Sequence, residues 1–164
     1  MSNEYYDLDA ILADHQKTPA HFLVDAKGLG VLAGSQEDRD ATNDLEAGAK
    51  LDLPLWLGEM LASFAYVEMN MPPAFSTRVK NALKADAKSV NVRALNTSFY
   101  RFAARVTELF GDEELSALLI GTLRERGRAV ADQANNPRSV GDGADFLRGL
   151  DDTERRRESL LLLV

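Results

Sequence analysis

The spacing of apolar positions changes along this chain, and the change divides it. In DLDAILAD (7–14), Leu8, Ile11 and Leu12 fall on one face of a short helix. HFLVDAKGLGVLAG (21–34) instead holds two short apolar runs, Phe22–Val24 and Leu29–Leu32, around the turn-like Asp25–Gly28 stretch. Runs of that length separated by glycine predict strands of a small sheet. SQEDRDATND (35–44) has no apolar side chain except Ala41 and reads as an exposed loop. A third strand is predicted over Ala49–Leu53, where Lys50, Leu51, Asp52 and Leu53 alternate.

From Pro54 onward the pattern is helical. Pro54 suits the first position of a helix, where its missing N–H costs nothing. The predicted helix over 54–64 carries Leu57, Met60, Leu61 and Phe64 at helical spacing, with Leu55 and Trp56 on another side. A short helix that is apolar nearly all round is normally buried from several directions. Tyr66–Met69 predicts a brief extended piece, ended by Pro72 and Pro73. Ser76 caps a helix over Thr77–Lys84 with Val79 and Leu83 on one face. Thr97 or Ser98 starts a strong helix carrying Phe99, Phe102, Ala103, Val106, Leu109 and Phe110, with Gly111 as its stop. A longer helix is predicted from Asp112 to Ala134, with Leu115, Leu118, Leu119, Leu123 and Val130. After a polar loop at 134–143, Asp142 or Asp145 opens a short helix over Phe146 and Leu147. Asp151 with Glu154 makes a capping box for a last helix ending LLLLV. The expected fold is mainly α, of the α+β kind: a small β-rich N-terminal domain (1–53) followed by a helical bundle (54–164).

Composition narrows the function classes. The chain has 164 residues, 45% of them apolar and 27% charged, enough for a real core. It has no cysteine, so disulfides, thiolate metal sites and cysteine nucleophiles are excluded, as suits a reducing compartment. The acidic N-terminus lacks the basic region of a secretory signal, and no apolar run reaches the roughly 20 residues that cross a bilayer. A soluble intracellular protein is expected. Net charge is −7, and residues 1–50 hold ten acidic and four basic side chains. Such a field repels phosphate, so direct DNA contact by the chain alone is not expected, whereas the N-terminal third suits a basic partner or a merely solvated surface.

Candidates for chemistry are sparse. His15 and His21 show no metal-ligand spacing and read as surface or loop histidines. Gly28-Leu29-Gly30 lacks the third glycine of a dinucleotide fingerprint and the lysine of a phosphate loop, so a turn between strands accounts for it. The acidic pairs Glu113-Glu114 and Asp151-Asp152 suit helix N-termini. The clusters Arg124, Arg126, Arg128 and Arg155–Arg157 read as solvated or ion-paired faces, with contact to an acidic partner or a DNA backbone as the sharper alternative. No catalytic residue, metal ligand or cofactor site is assigned. The apolar supply points to an interaction protein, because a lobe of fifty residues buries too little surface to stand alone.

Five collinear blocks carry a family resemblance: YYDLDAILAD (5–14), GLGVL (28–32), LDLPLWLGEMLA (51–62), FSTRVKNALKADAKSVNVRAL (75–95) and FLRGLDDTER (146–155). Together they resemble the third subunit of the eukaryotic GINS DNA replication complex, a heterotetramer of related subunits. The resemblance implies a small domain followed by a helical one, a nuclear location and no catalytic residues. It also implies partnership with three sister subunits and, through them, with the MCM helicase ring and a RecJ-like replication factor. The chain departs from the pattern in the acidic 35–44 segment and after residue 155. The alternative is a stand-alone helical adaptor for a peptide or chromatin partner. Expected interface anchors are Phe99, Phe102, Val106, Phe110, Leu118 and Leu119. Trp56, Leu57, Met60 and Leu61 are expected to form a core between the two lobes, on the argument that large aromatics dominate such junctions.

Overall fold

The computed structural model describes residues 6–33, 44–135 and 145–161. The chain forms two compact units, residues 14–72 and residues 1–13 with 73–164. The mainly α architecture with a small N-terminal sheet agrees with the expectation. The loops expected at 35–44 and 134–143 fall almost wholly outside the described residues.

In the 14–72 unit, β1 (Lys17–Phe22) is the centre of an antiparallel sheet of order β2-β1-β3, with β2 at Lys50–Pro54 and β3 at Val67–Met69. Thr18, Ala20 and Phe22 alternate inward along β1, the period of a half-buried strand. Pro19 is tolerated in this central strand because β3 ends beside it. Asn70 N–H donates to the Pro19 carbonyl at 2.8 Å, and the ladder stops at that pair, where the proline has no N–H to return. The expected strand at Leu29–Leu32 is instead a single 3-10 turn, Gly30–Ala33. Gly28 takes φ 74° and donates its N–H to Asp44 Oδ1 at 2.8 Å, which curls the chain away from the sheet.

The helix expected to open the helical body, α2 (Leu55–Ser63), lies on this sheet. Leu57, Leu61 and Ala62 cover the cluster of Ala20, Phe22, Leu45, Leu53 and Val67. Gly58 lets the helix come close to β3, since a Cβ there would lie 2.8 Å from Met69 Cε. The helix ends in a Schellman motif: Ala65 N–H donates to Ala62 O at 2.9 Å and Tyr66 N–H to Leu61 O at 3.0 Å. Ala65 holds the left-handed position at φ 56°, where glycine is usual.

The other unit contains α1 through Ala13 (helix Leu8–Asp14), α3 (Thr77–Ala85), α4 (Val92–Leu95), α5 (Phe99–Phe110), α6 (Glu113–Asn135), α7 (145–148) and α8 (Asp152–Leu161). Phe75 packs at 5.3 Å and 5.5 Å from the rings of Phe99 and Phe102, and Val92, Val106, Leu115 and Leu150 are fully buried in the same unit. Gly111 stops α5 at φ 64°, as its position predicts. Asp112 caps α6 by accepting the Leu115 N–H at 2.8 Å, and takes the Lys80 ammonium of α3 at 2.6 Å. The apolar face of α1 is the exposed one. Polar anchors hold this helix instead: Asp7 accepts from Arg101 at 2.6 Å, and both Asp9 oxygens accept from Arg156.

Candidate interaction surfaces

The helical unit has a buried polar centre that the sequence pattern does not announce. Arg126, expected with Arg124 and Arg128 to lie on a solvated or ion-paired face, is ion-paired to Glu154 but wholly buried. Among the α6 side chains described, the buried ones are Leu115, Leu119, Thr122, Arg126 and Val130, so the arginine falls on the helix's inward period. Its guanidinium meets the Glu154 carboxylate in a fork, Nε to Oε1 at 2.7 Å and an η nitrogen to Oε2 at 3.0 Å. It also donates to the carbonyls of Ala87 at 2.8 Å, Val90 at 2.9 Å and Gly149 at 3.3 Å, and lies 4.9 Å from the Phe146 ring centre.

Around this pair the expected capping box is present. Glu154 N–H donates to Asp151 Oδ1 at 2.8 Å, and Asp151 N–H donates back to Glu154 Oε2 at 3.1 Å. Asp151 also accepts the Tyr100 N–H at 3.2 Å, near the N-terminus of α5, where Ser98 makes no side-chain cap. One carboxylate therefore serves two helix N-termini, where negative charge is favoured. Burial still pushes the Asp151 pKa up, because desolvation outweighs the two backbone donors. The Tyr100 hydroxyl, which donates to Glu154 at 3.3 Å, is pushed up by the same desolvation. This centre is internally paired and fastens α8 to α5 and α6.

The proposed anchors divide by burial. Phe99, Phe102, Val106 and Leu119 belong to the chain's own core and have little surface left for a partner. Phe110 and Leu118 are half-buried and remain candidates. On α2 the side chains also separate. Leu57 and Leu61 pack inward on the sheet unit, whereas Trp56 and Met60 are 44% and 47% exposed rather than core. A nine-residue helix lying on one small sheet buries only one side of itself, and this side is the other. Phe64 is 66% exposed on the same side, and its ring stacks on Tyr66 at 6.0 Å. The His15 ring lies 6.4 Å from the Trp56 ring, and His21 Nε2 is 3.2 Å from Glu68 Oε2. Among the described residues no group of three or more His, Asp or Glu side chains is placed to hold a metal ion. No described helix is long and apolar enough to cross a membrane.

A groove of about 330 Å³ runs beside α6, lined by Leu123, Arg124, Gly127, Arg128, Val130 and Ala131 of that helix and by Glu154 of α8. Arg124 and Arg128 are exposed and unpaired among the described residues, so the outer members of the arginine cluster do face solvent, as expected.

Comparison with known proteins agrees with this two-part construction. Residues 6–63 match the PSF3 N-terminal domain, and residues 74–157 match the GINS complex protein helical bundle domain. The chain is 46% identical over 159 residues to the DNA replication complex GINS protein psf3 of Aspergillus fumigatus, covering 93% of this chain and 86% of that one. It is 46% identical to the like-named protein of Phaeosphaeria nodorum, over 94% of this chain and 87% of the relative. The fission yeast protein, from Schizosaccharomyces pombe, is 39% identical over 93% of this chain and 87% of its own length. With both domain types present in order and identity sustained across nearly the whole chain, the protein belongs to the PSF3 family of GINS proteins.

Proposed function

We propose that this chain is the third subunit of a nuclear GINS heterotetramer and acts as a non-catalytic scaffold in DNA replication. With three sister subunits it associates with the MCM ring and a RecJ-like factor to form the replicative helicase at initiation and during elongation. The observation that carries this reading is the collinear match of both domains to GINS families, in relatives whose names place them in the DNA replication complex. The chemistry of the chain is compatible with it: the buried Arg126 and Glu154 are paired with each other inside the helical unit. Binding energy is then the mechanism. Half-buried Phe110 and Leu118 offer apolar surface from the helical unit, and stable assemblies of this kind bury about 2,000 Å² or more per interface.

Affinity purification of the tagged chain from nuclear extract of S-phase cells tests the proposal. Three sister subunits together with MCM subunits and the RecJ-like factor are the expected companions. Recovery of the chain without MCM proteins, from cytoplasm and nucleus alike, would overturn the helicase assignment.

A further inference from the structure

The α2 side that faces away from the sheet has a use the scaffold reading does not supply. We propose that Trp56, Met60 and Phe64, with Tyr66 beyond the helix, form a docking surface for a basic amphipathic helix of another protein. The surface stands within the 14–72 unit alone and does not depend on the replication reading.

Trp56, Met60 and Phe64 recur every four residues and so line one side of α2 and its C-terminus. Exposure is 44%, 47% and 66% for these three and 48% for Tyr66. Single exposed apolar side chains are ordinary; four large ones grouped on one helix and its turn mark a contact surface. The turn is built to hold two of them. Ala65 adopts the left-handed conformation at a steric cost, and the backbone bonds to Leu61 and Ala62 keep it there. That conformation brings the Phe64 and Tyr66 rings into a stack, and Tyr66 O accepts the N–H of Leu23, another exposed apolar residue, at 2.9 Å.

Charge selects the occupant. The described residues between 14 and 72 carry seven acidic and three basic side chains. That field repels anionic lipid, nucleic-acid phosphate, acidic peptides and a second copy of the same unit. A helix with Leu or Phe on one face and Lys or Arg along its flanks meets the apolar stripe and the field together, as in helix-on-surface recognition. Its cations also suit the faces of Trp56, Phe64 and Tyr66.

Trp56 is the chain's only tryptophan, so its fluorescence reports directly on the surface. The full chain is titrated with a synthetic Leu/Lys amphipathic helix, a matched Leu/Glu helix and phosphatidylserine vesicles. A saturable blue shift is expected with the Leu/Lys peptide alone, with affinity falling about tenfold between low and physiological salt. The double variant Met60→Ser/Phe64→Ser leaves the charge unchanged and is expected to lose at least about tenfold in affinity through its lost apolar area. Tyr66→Ser serves as the second variant if that one alters the circular dichroism melt. Equal response to the Leu/Glu helix or to vesicles overturns the proposal. So does binding that both variants leave intact, or a shift that grows with protein concentration in the absence of peptide.

Discussion

Replacing Arg126 by methionine keeps an unbranched side chain inside the helical unit and removes only the guanidinium. The folded chain then loses a forked pair to Glu154 and three bonds to the carbonyls of Ala87, Val90 and Gly149. The worst consequence is the orphan. The Glu154 side chain is 1% exposed and is left with only the Tyr100 hydroxyl and the Asp151 N–H as donors. Removing one partner of such a buried pair costs about 3–5 kcal/mol, far more than the net value of the pair. With a urea slope of about 2 kcal/mol per molar, the midpoint falls by about 1.5–2.5 M. Helical ellipticity in urea measures it, because α5, α6 and α8 all depend on this centre. Adding Glu154→Leu removes the orphan, so the double variant is expected to cost less than the sum of the single changes. Strict additivity, or an Arg126→Met loss below about 1 kcal/mol, would refute the reasoning.

Other predictions rest on separate features. Gly111→Ala at φ 64° costs about 1 kcal/mol, all of it backbone strain because nothing lies within 4 Å of the added Cβ; Ala65→Gly at φ 56° gains a similar amount, and paired thermal melts read both. The Asp112 pKa is held below its ordinary 3.8 chiefly by the Lys80 hydrogen bond, so this contact stabilises the fold above that value and its contribution is lost as pH falls through the lowered one. The stability gap between the native chain and Lys80→Ala is therefore expected to close on acidification from about pH 5 to about pH 2; a constant gap contradicts it. Phe102→Ala lowers the stability of the isolated chain by about 3–5 kcal/mol, whereas Phe110→Ala leaves its melt nearly unchanged and weakens assembly with the sister subunits, read by size-exclusion chromatography.

Helices were the legible part of the sequence. The α5 and α6 boundaries follow from Gly111 and the acidic residues beside it, and the three-residue spacing of Asp151 and Glu154 is itself the mark of the capping box. Strands were less so. KTPAHF contains a proline and no run of β-branched residues, and only Thr18, Ala20 and Phe22 mark its inward face, so its pattern does not announce the central strand. Gly28 and Gly30 punctuated an apolar run that became a turn. Arg126 was hidden by its neighbours: Arg124 and Arg128 are exposed, and composition alone groups all three. Its signal was periodic, in step with Leu115, Leu119, Thr122 and Val130, while the partner that neutralises it lies 28 residues away in sequence. Trp56 shows the opposite case. An apolar helix is normally buried from several directions, but within its own unit the small sheet covers only the side of Leu57 and Leu61.

The central claim is that this chain is one quarter of a hetero-oligomer. Co-expression with the three sister subunits of the same genome, followed by native mass spectrometry, tests it most directly. The account predicts one dominant species containing each of the four chains once. A chain that stays monomeric and well folded at micromolar concentration, with its sisters assembling or precipitating without it, would contradict the account.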